Sequence, residues 1–143
     1  MILIDSYGWI EYFTEGPLAT AYAKYIEDAN EENSITPTIV VYEVYKKLKN
    51  KKGEQNALEA YAQITRTKIV DLTAKLSLEA AEISQSTSLG MADSIVLATA
   101  RSCNAQLVTS DLHLKDLKET KFINKNQISL YQQKTITKYY NFV

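Results

Sequence analysis

Residues 1–13 read MILIDSYGWIEYF. Ile2-Leu3-Ile4 is an apolar run that suits a short buried strand, and Asp5 ends it. In an open α/β sheet, ligands bind in the crevice outside the carboxyl ends of the strands. Asp5 is therefore either the cap of a following turn or helix, as Asp and Ser commonly are, or one wall of a site. The other acids of the chain decide between the two.

The pattern downstream of Asp5 alternates strand and helix. Ser6 is placed to cap a short helix over Trp9, Ile10 and Phe13, which Gly16-Pro17 breaks. Leu18, Ala21, Tyr22, Tyr25, Ile26 and Ala29 then repeat at helical spacing. Ser34-Ile35-Thr36-Pro37 reads as a very short strand and a helix start, with Thr36 as cap and Pro37 at the first helical position. The helix TIVVYEVYKKLKN follows, and Lys46, Lys47, Lys49, Lys51 and Lys52 suit its C-terminal dipole end. A further helix carries Ala57, Leu58, Tyr61 and Ile64. Lys68-Ile69-Val70 is a strand, and Thr73 caps a helix over Leu72 to Gln85. Gly90 separates this from MADSIVLATARSC, a helix apolar nearly all round and so buried on most sides. Ala105 to Thr109 is a strand that runs into Ser110-Asp111, much as the first runs into Asp5-Ser6. The tail holds β-like runs at Phe122-Ile123 and Ile128-Ser129-Leu130. Short strands alternating with helices, without hairpin turns, predict an α/β fold. Its architecture is a three-layer α/β/α sandwich around a short, mostly parallel central sheet.

Composition narrows the function classes. A chain of 143 residues reads as one domain, residues 1–143, with room for a core of its own. Its one cysteine, Cys103, excludes an internal disulfide and a cysteine-rich zinc site, and fits a reducing, cytoplasmic compartment. No stretch is long and apolar enough for a membrane span, and the N-terminus lacks the positive region of a signal peptide. A net charge of -1 argues against holding nucleic acid by bulk charge. It is compatible with an acidic centre that cations offset.

Two acids sit where apolar residues belong. Glu43 lies in TIVVYEVY between valines and tyrosines. Asp93 opens the most apolar helix, sharing a face with Val96, Leu97 and Ala100. Singly, Glu43 is explained by an edge position reaching solvent and Asp93 by the helix dipole. Together with Asp5 and Asp111 they make a set. Carboxylates held close raise one another's pKa unless a cation neutralises them. With no histidine or cysteine cluster the donors are all oxygen, which suits Mg2+ or Mn2+, one ion or two. A hard divalent ion among carboxylates favours phosphoryl chemistry. A haloacid-dehalogenase-like phosphatase also starts with a strand ending in Asp, but needs a second Asp two residues on, where this chain has Tyr7.

The four pieces in order resemble the PIN-domain family, in particular the VapC-type toxins of bacteria and archaea. LIDSYGWIEYF resembles the family's opening aspartate, followed by a small polar residue and a Trp-Ile pair. Glu43 falls where the family has its helical glutamate. MADSIVLATA resembles the D-x-x-I/L-x-A-A helix, and LVTSDLHL the T-x-D-x-H/D-F/L strand ending. The likeness spans residues 1 to about 130. Ser110 departs from it, standing where many members carry a basic or other polar residue. His113 is matched by a histidine in many members, and two residues beyond an acid it reads as a packing or capping residue.

The resemblance implies a PIN-like fold and a metal-dependent endoribonuclease, the toxin of a VapBC-type pair. Asp5, Glu43, Asp93 and Asp111 would be its catalytic and metal residues, holding Mg2+ or Mn2+. Ser6, Thr109 and Asp116 would support them from behind. Cleavage would leave 5′-phosphate and 3′-hydroxyl ends. The substrate would be RNA, transfer RNA being the commonest target of the group. Lys46, Lys47, Lys49 and Arg101 are candidates for contacting its phosphates, or for solvated positions. A homodimer and a cognate antitoxin protein are implied as partners, and Trp9, Tyr12, Phe13 and Tyr42 suit either such a surface or the core. Two other functions use the same fold: a non-catalytic module that binds RNA or protein, and a nuclease of RNA processing.

Overall fold

The computed structural model describes residues 1–124; the Ile128-Ser129-Leu130 run lies outside them. Five strands form one sheet in the order β3-β2-β1-β4-β5, and all four pairings are parallel. The strands are β1 (Ile2–Ile4), β2 (Ser34–Pro37), β3 (Lys68–Val70), β4 (Gln106–Thr109) and β5 (Thr120–Phe122). The helices are α1 (Ser6–Phe13), α2 (Ala19–Glu27), α3 (Thr38–Lys52), α4 (Glu54–Ile64), α5 (Ala74–Ser86) and α6 (Met91–Ser102). Helices cover both faces, giving the α/β/α sandwich expected.

The first strand is central because it is apolar on both sides. Leu3 and Ile4 are fully buried, and β1 pairs with β2 on one edge and β4 on the other. Parallel strands covered on both faces carry such continuous apolar runs. The chain builds β2 and β3 outward on one side of β1, then crosses to place β4 and β5 on the other. The order therefore reverses between β1 and β4. In doubly wound sheets the crevice for a ligand opens at that reversal, outside the carboxyl ends. Asp5 and Asp111 flank it.

Helix α6 explains its own sequence. Val96 and Ala100 enter the main core with Leu3, Trp9, Tyr22 and Leu107, while Ile95, Leu97 and Ala98 join Leu76, Ala80 and Ile83 of α5 in a second cluster. A helix packed on two sides has no polar face to spare. Trp9 is fully buried and belongs to the core, whereas Tyr42 is exposed.

Local details differ from the sequence expectations in three places. The side chain that caps α1 is Asp5, not Ser6, which is the first helical residue. Thr36 does not cap α3. It is buried, with its hydroxyl 2.6 Å from that of Thr67, and Pro37 ends β2 as the residue before the helix. The last strand among the described residues is Thr120–Phe122 rather than Phe122-Ile123, its register set by Leu107, Val108 and Thr109 of β4. The Thr73 cap of α5 forms as expected, accepting from the Leu76 amide.

Candidate metal centre

Asp5 is fixed before any ligand arrives. Its Oδ1 accepts from the Ser6 amide at 2.8 Å, closing the first turn of α1. Its Oδ2 accepts from the Thr109 hydroxyl at 2.9 Å, across the β1–β4 pairing. The same Thr109 oxygen accepts the Asp111 amide at 3.0 Å. One hydroxyl therefore sets the spacing of both strand-end acids. Asp111 caps the 3₁₀ turn Leu112–Leu114, its Oδ1 accepting from the His113 amide at 2.9 Å.

Asp5 is only 5% exposed, and this burial pushes its carboxyl up to about 6. The Thr109 and Ser6 hydrogen bonds work against that rise, and the charges of Asp93 and Asp111 add to it. Glu43, on α3, is raised first by burial and then by Asp5, with Asp93 adding and the Ser6 hydroxyl opposing. Asp93, in the first turn of α6, is raised by burial and by Asp111, while His113 draws it down. Asp5, Glu43, Asp93 and Asp111 thus stand near enough to the β1–β4 crevice to feel one another's charge. Among the described residues, no lysine or arginine pairs with any of them. Such a concentration of partly buried carboxylates needs positive charge from elsewhere.

The structure also brings in a residue that the sequence left to packing or capping. His113 Nδ1 lies 3.1 Å from Asp111 Oδ1, and its side chain is 81% exposed, so it does not pack. One donor atom from each of Asp93, Asp111 and His113 falls within 4.8 Å of the others. The available signal was that this is the only histidine in the chain, two residues from an acid. Asp116 is exposed in the turn that follows.

A family model for the PIN domain matches residues 2–120. The chain belongs to the PIN-domain family. No curated protein sequence matches it significantly. Among solved structures, a toxin–antitoxin complex from Klebsiella pneumoniae superposes with a TM-score of 0.71 at 17% identity, covering 87% of this chain and 98% of that one. A sarcin-ricin loop-cleaving VapC toxin from Mycobacterium tuberculosis gives 0.66 at 16% identity, over 92% and 95%. A VapBC structure from Rickettsia felis, bound to a DNA fragment from its promoter, gives 0.65 at 20% identity, over 87% and 98%. At these identities the likeness is one of fold.

Other charged and aromatic residues of this PIN domain sort by position. Arg101 ends α6, eight residues or about 12 Å from Asp93, and is held by Glu119 at 2.9 Å. Lys46 and Lys49 lie over the rings of Tyr42 and Tyr45. With Val41, Asn50, Leu58 and Tyr61 these residues line a groove of about 820 Å³ between α3 and α4. Lys47 is exposed and one turn beyond Glu43, on the same helix face.

One support was not visible in the sequence. Tyr22, fully buried, donates its hydroxyl to Ser110 Oγ at 2.9 Å, beside Asp111. The ring passes over Gly8, where an added Cβ would clash with it. In the chain, Tyr22 is one apolar position of a helical repeat, with nothing to single it out.

Proposed function

We propose that this PIN domain is a metal-dependent endoribonuclease and the toxin of a VapBC-type toxin–antitoxin pair. The observation that supports this reading is that Asp5, Glu43, Asp93 and Asp111 act on one another's charge near the sheet's reversal point, with no lysine or arginine paired to them among the described residues. The donor set fits Mg2+ or Mn2+, hard cations that take carboxylate oxygens. When bound, such an ion supplies a water nucleophile at neutral pH and offsets charge at a scissile phosphate. The four acids would hold it. Thr109 and Ser6 keep the Asp5 carboxylate still, so little reorganisation is left for the reacting complex. Asp116 is a solvent-side acid with no part in this grip.

RNA would cross the acidic crevice with its phosphates on Lys47, and on Lys46 and Lys49 where these leave their tyrosines. Arg101, engaged at the far end of α6, is assigned no phosphate. The substrate class follows the Mycobacterium tuberculosis relative, which cleaves the sarcin-ricin loop; transfer RNA is the first alternative target to try. The partner follows the Klebsiella pneumoniae complex. An antitoxin segment with acidic and apolar residues suits the tyrosine- and lysine-lined groove of α3 and α4. A homodimer and a cytoplasmic location go with the same reading; among the described residues, no helix is long and apolar enough to cross a membrane.

The test is incubation of the protein with total RNA, with and without EDTA, beside Asp5→Asn. Cleavage that needs Mg2+ or Mn2+ and disappears in the variant is the expected result. Near-wild-type cleavage by Asp5→Asn would sink the assignment.

A further inference from the structure

The acidic centre has two unlike ends, and Asp93 joins them. Asp93 acts electrostatically on Asp5 and Glu43 at one end, and is itself acted on by Asp111 and His113 at the other. The inner end is built of carboxylates alone and is closed over Asp5. At the outer end stand two carboxylates and the only imidazole in 143 residues.

We propose that Asp93, Asp111 and His113 form an outer cation position with a nitrogen ligand, one that takes Mn2+ in preference to Mg2+. The proposal rests on the metal-dependent reading above and extends it from the presence of a metal to its choice. The chemistry of the donors carries the preference. Mg2+ holds to oxygen ligands and near-ideal octahedral geometry, whereas imidazole suits transition-metal ions. The geometry is close to that of a shared ion. The three donor atoms lie within 4.8 Å of one another, and ligands on opposite sides of a small octahedral divalent ion stand about 4 Å apart. Little movement is needed, and the ring is exposed rather than packed. His113 is 81% exposed, while its backbone is anchored, the amide donating to Asp111 Oδ1 at 2.9 Å. Its Nδ1, 3.1 Å from the same oxygen, is oriented by a carboxylate, the arrangement that commonly steers metal-binding histidines.

The experiment uses the full chain without an affinity tag, so that His113 is its single histidine. Loaded with Mn2+, the protein is examined by pulsed electron paramagnetic resonance for a directly coordinated 14N nucleus. Mn2+ and Mg2+ affinities are measured in parallel by calorimetry. The expected signal is nitrogen coupling that changes to the 15N pattern on histidine labelling and is absent in His113→Ala. That variant should lose about tenfold or more in Mn2+ affinity with little change for Mg2+. Mn2+ binding without nitrogen coupling, or an unchanged preference in His113→Ala, would overturn the outer position and leave the nuclease reading standing. Failure to bind either ion would overturn both. Because His113 is exposed and outside the core, loss of folding does not enter the comparison.

Discussion

The two central strands end alike in sequence and differently in space. Each runs into an aspartate that caps the next turn: Asp5 after β1, Asp111 after β4. The first is sealed, 5% exposed and held at both oxygens. The second has a side chain 29% exposed, and its neighbour is an exposed imidazole rather than a packed wall. The difference lies in what covers each strand end. Asp5 enters α1, whose Trp9 and Gly8 pack inward, whereas Asp111 enters a single 3₁₀ turn with Leu112 and His113 facing solvent. One end of the site is therefore rigid and costly to charge. The other is open to solvent.

The sharpest way to break this contrast is Asp5→Asn. Under the proposed mechanism it removes activity by roughly a thousandfold or more, measured by RNA cleavage in saturating Mn2+. The stability effect runs the other way. The carboxyl rises from 3.8 to about 6 on folding, so the unfolded chain ionises first and holds fewer protons through that interval. Stability of the metal-free protein must then fall as pH rises from about 4 to 6. The full loss is about 3 kcal/mol, reached above the folded-state value. Urea denaturation in EDTA should show this slope in the wild type and a flatter profile in Asp5→Asn. A metal-free protein whose stability is level across that interval would show that the sealed end costs nothing to charge.

Thr109→Val comes next, because one hydroxyl ties the two ends together. The valine keeps the shape and removes the donor to Asp5 and the acceptor for the Asp111 amide. Losing such an outer hydrogen bond typically costs 10- to 100-fold in metal affinity or activity, readable as a higher Mn2+ concentration for half-maximal cleavage. Its effect should fall on both ends, unlike His113→Ala. If Mn2+ dependence is unchanged in Thr109→Val, the two acids do not depend on a common hinge.

The same contrast marks what could be read from the chain. Glu43 and Asp93 stood out because a carboxylate inside an apolar helical pattern is expensive, and Asp5 and Asp111 because each ends a short apolar strand. The alternation of strands and helices carried the sheet, and the apolar run Ile2-Leu3-Ile4 carried the central position of β1. Caps were less legible. Asp5 and Ser6 are both good cap residues, and only the chain's path decides that Asp5 takes the role. Thr36 looked like a cap from its neighbour Pro37, yet its partner is Thr67, 31 residues on, and no local pattern records such a pair. His113 and Tyr22 escaped because their partners are set by tertiary placement. One is an exposed ring that happens to face an acid, the other a tyrosine in a helical repeat whose hydroxyl ends beside the site.

Tyr22→Phe tests the wall behind the open end. The change deletes the buried hydrogen bond to Ser110 and costs about 1 kcal/mol of stability. If Ser110 in turn steadies Asp111, Mn2+ affinity should also fall several-fold, and Ser110→Ala should reproduce it. Gly8→Ala strains the same wall from the opposite side, pressing a Cβ into the Tyr22 ring. Overpacking of that kind costs about 1–3 kcal/mol, so its melting temperature should drop further than that of Tyr22→Phe. Equal Mn2+ affinity in all three variants would make Tyr22 a packing residue alone.

The smallest effect should come from the lysines, and it separates substrate contact from groove structure. Lys47 stands on the Glu43 face of α3 with its amino group in solvent, whereas Lys46 and Lys49 lean on Tyr42 and Tyr45 in the groove. A single phosphate contact on single-stranded RNA contributes about 0.7 to the slope of log affinity against log salt. Lys47→Ala should therefore raise KM a few-fold at low salt, make binding less sensitive to salt by about that amount, and leave kcat alone. Arg101→Ala should change neither, because its guanidinium is already spent on Glu119 at the distant end of α6. If Lys46→Ala or Lys49→Ala weakens RNA binding more than Lys47→Ala does, the path of the substrate turns into the aromatic groove. That groove would then be shared between RNA and any protein partner, and binding of one would exclude the other.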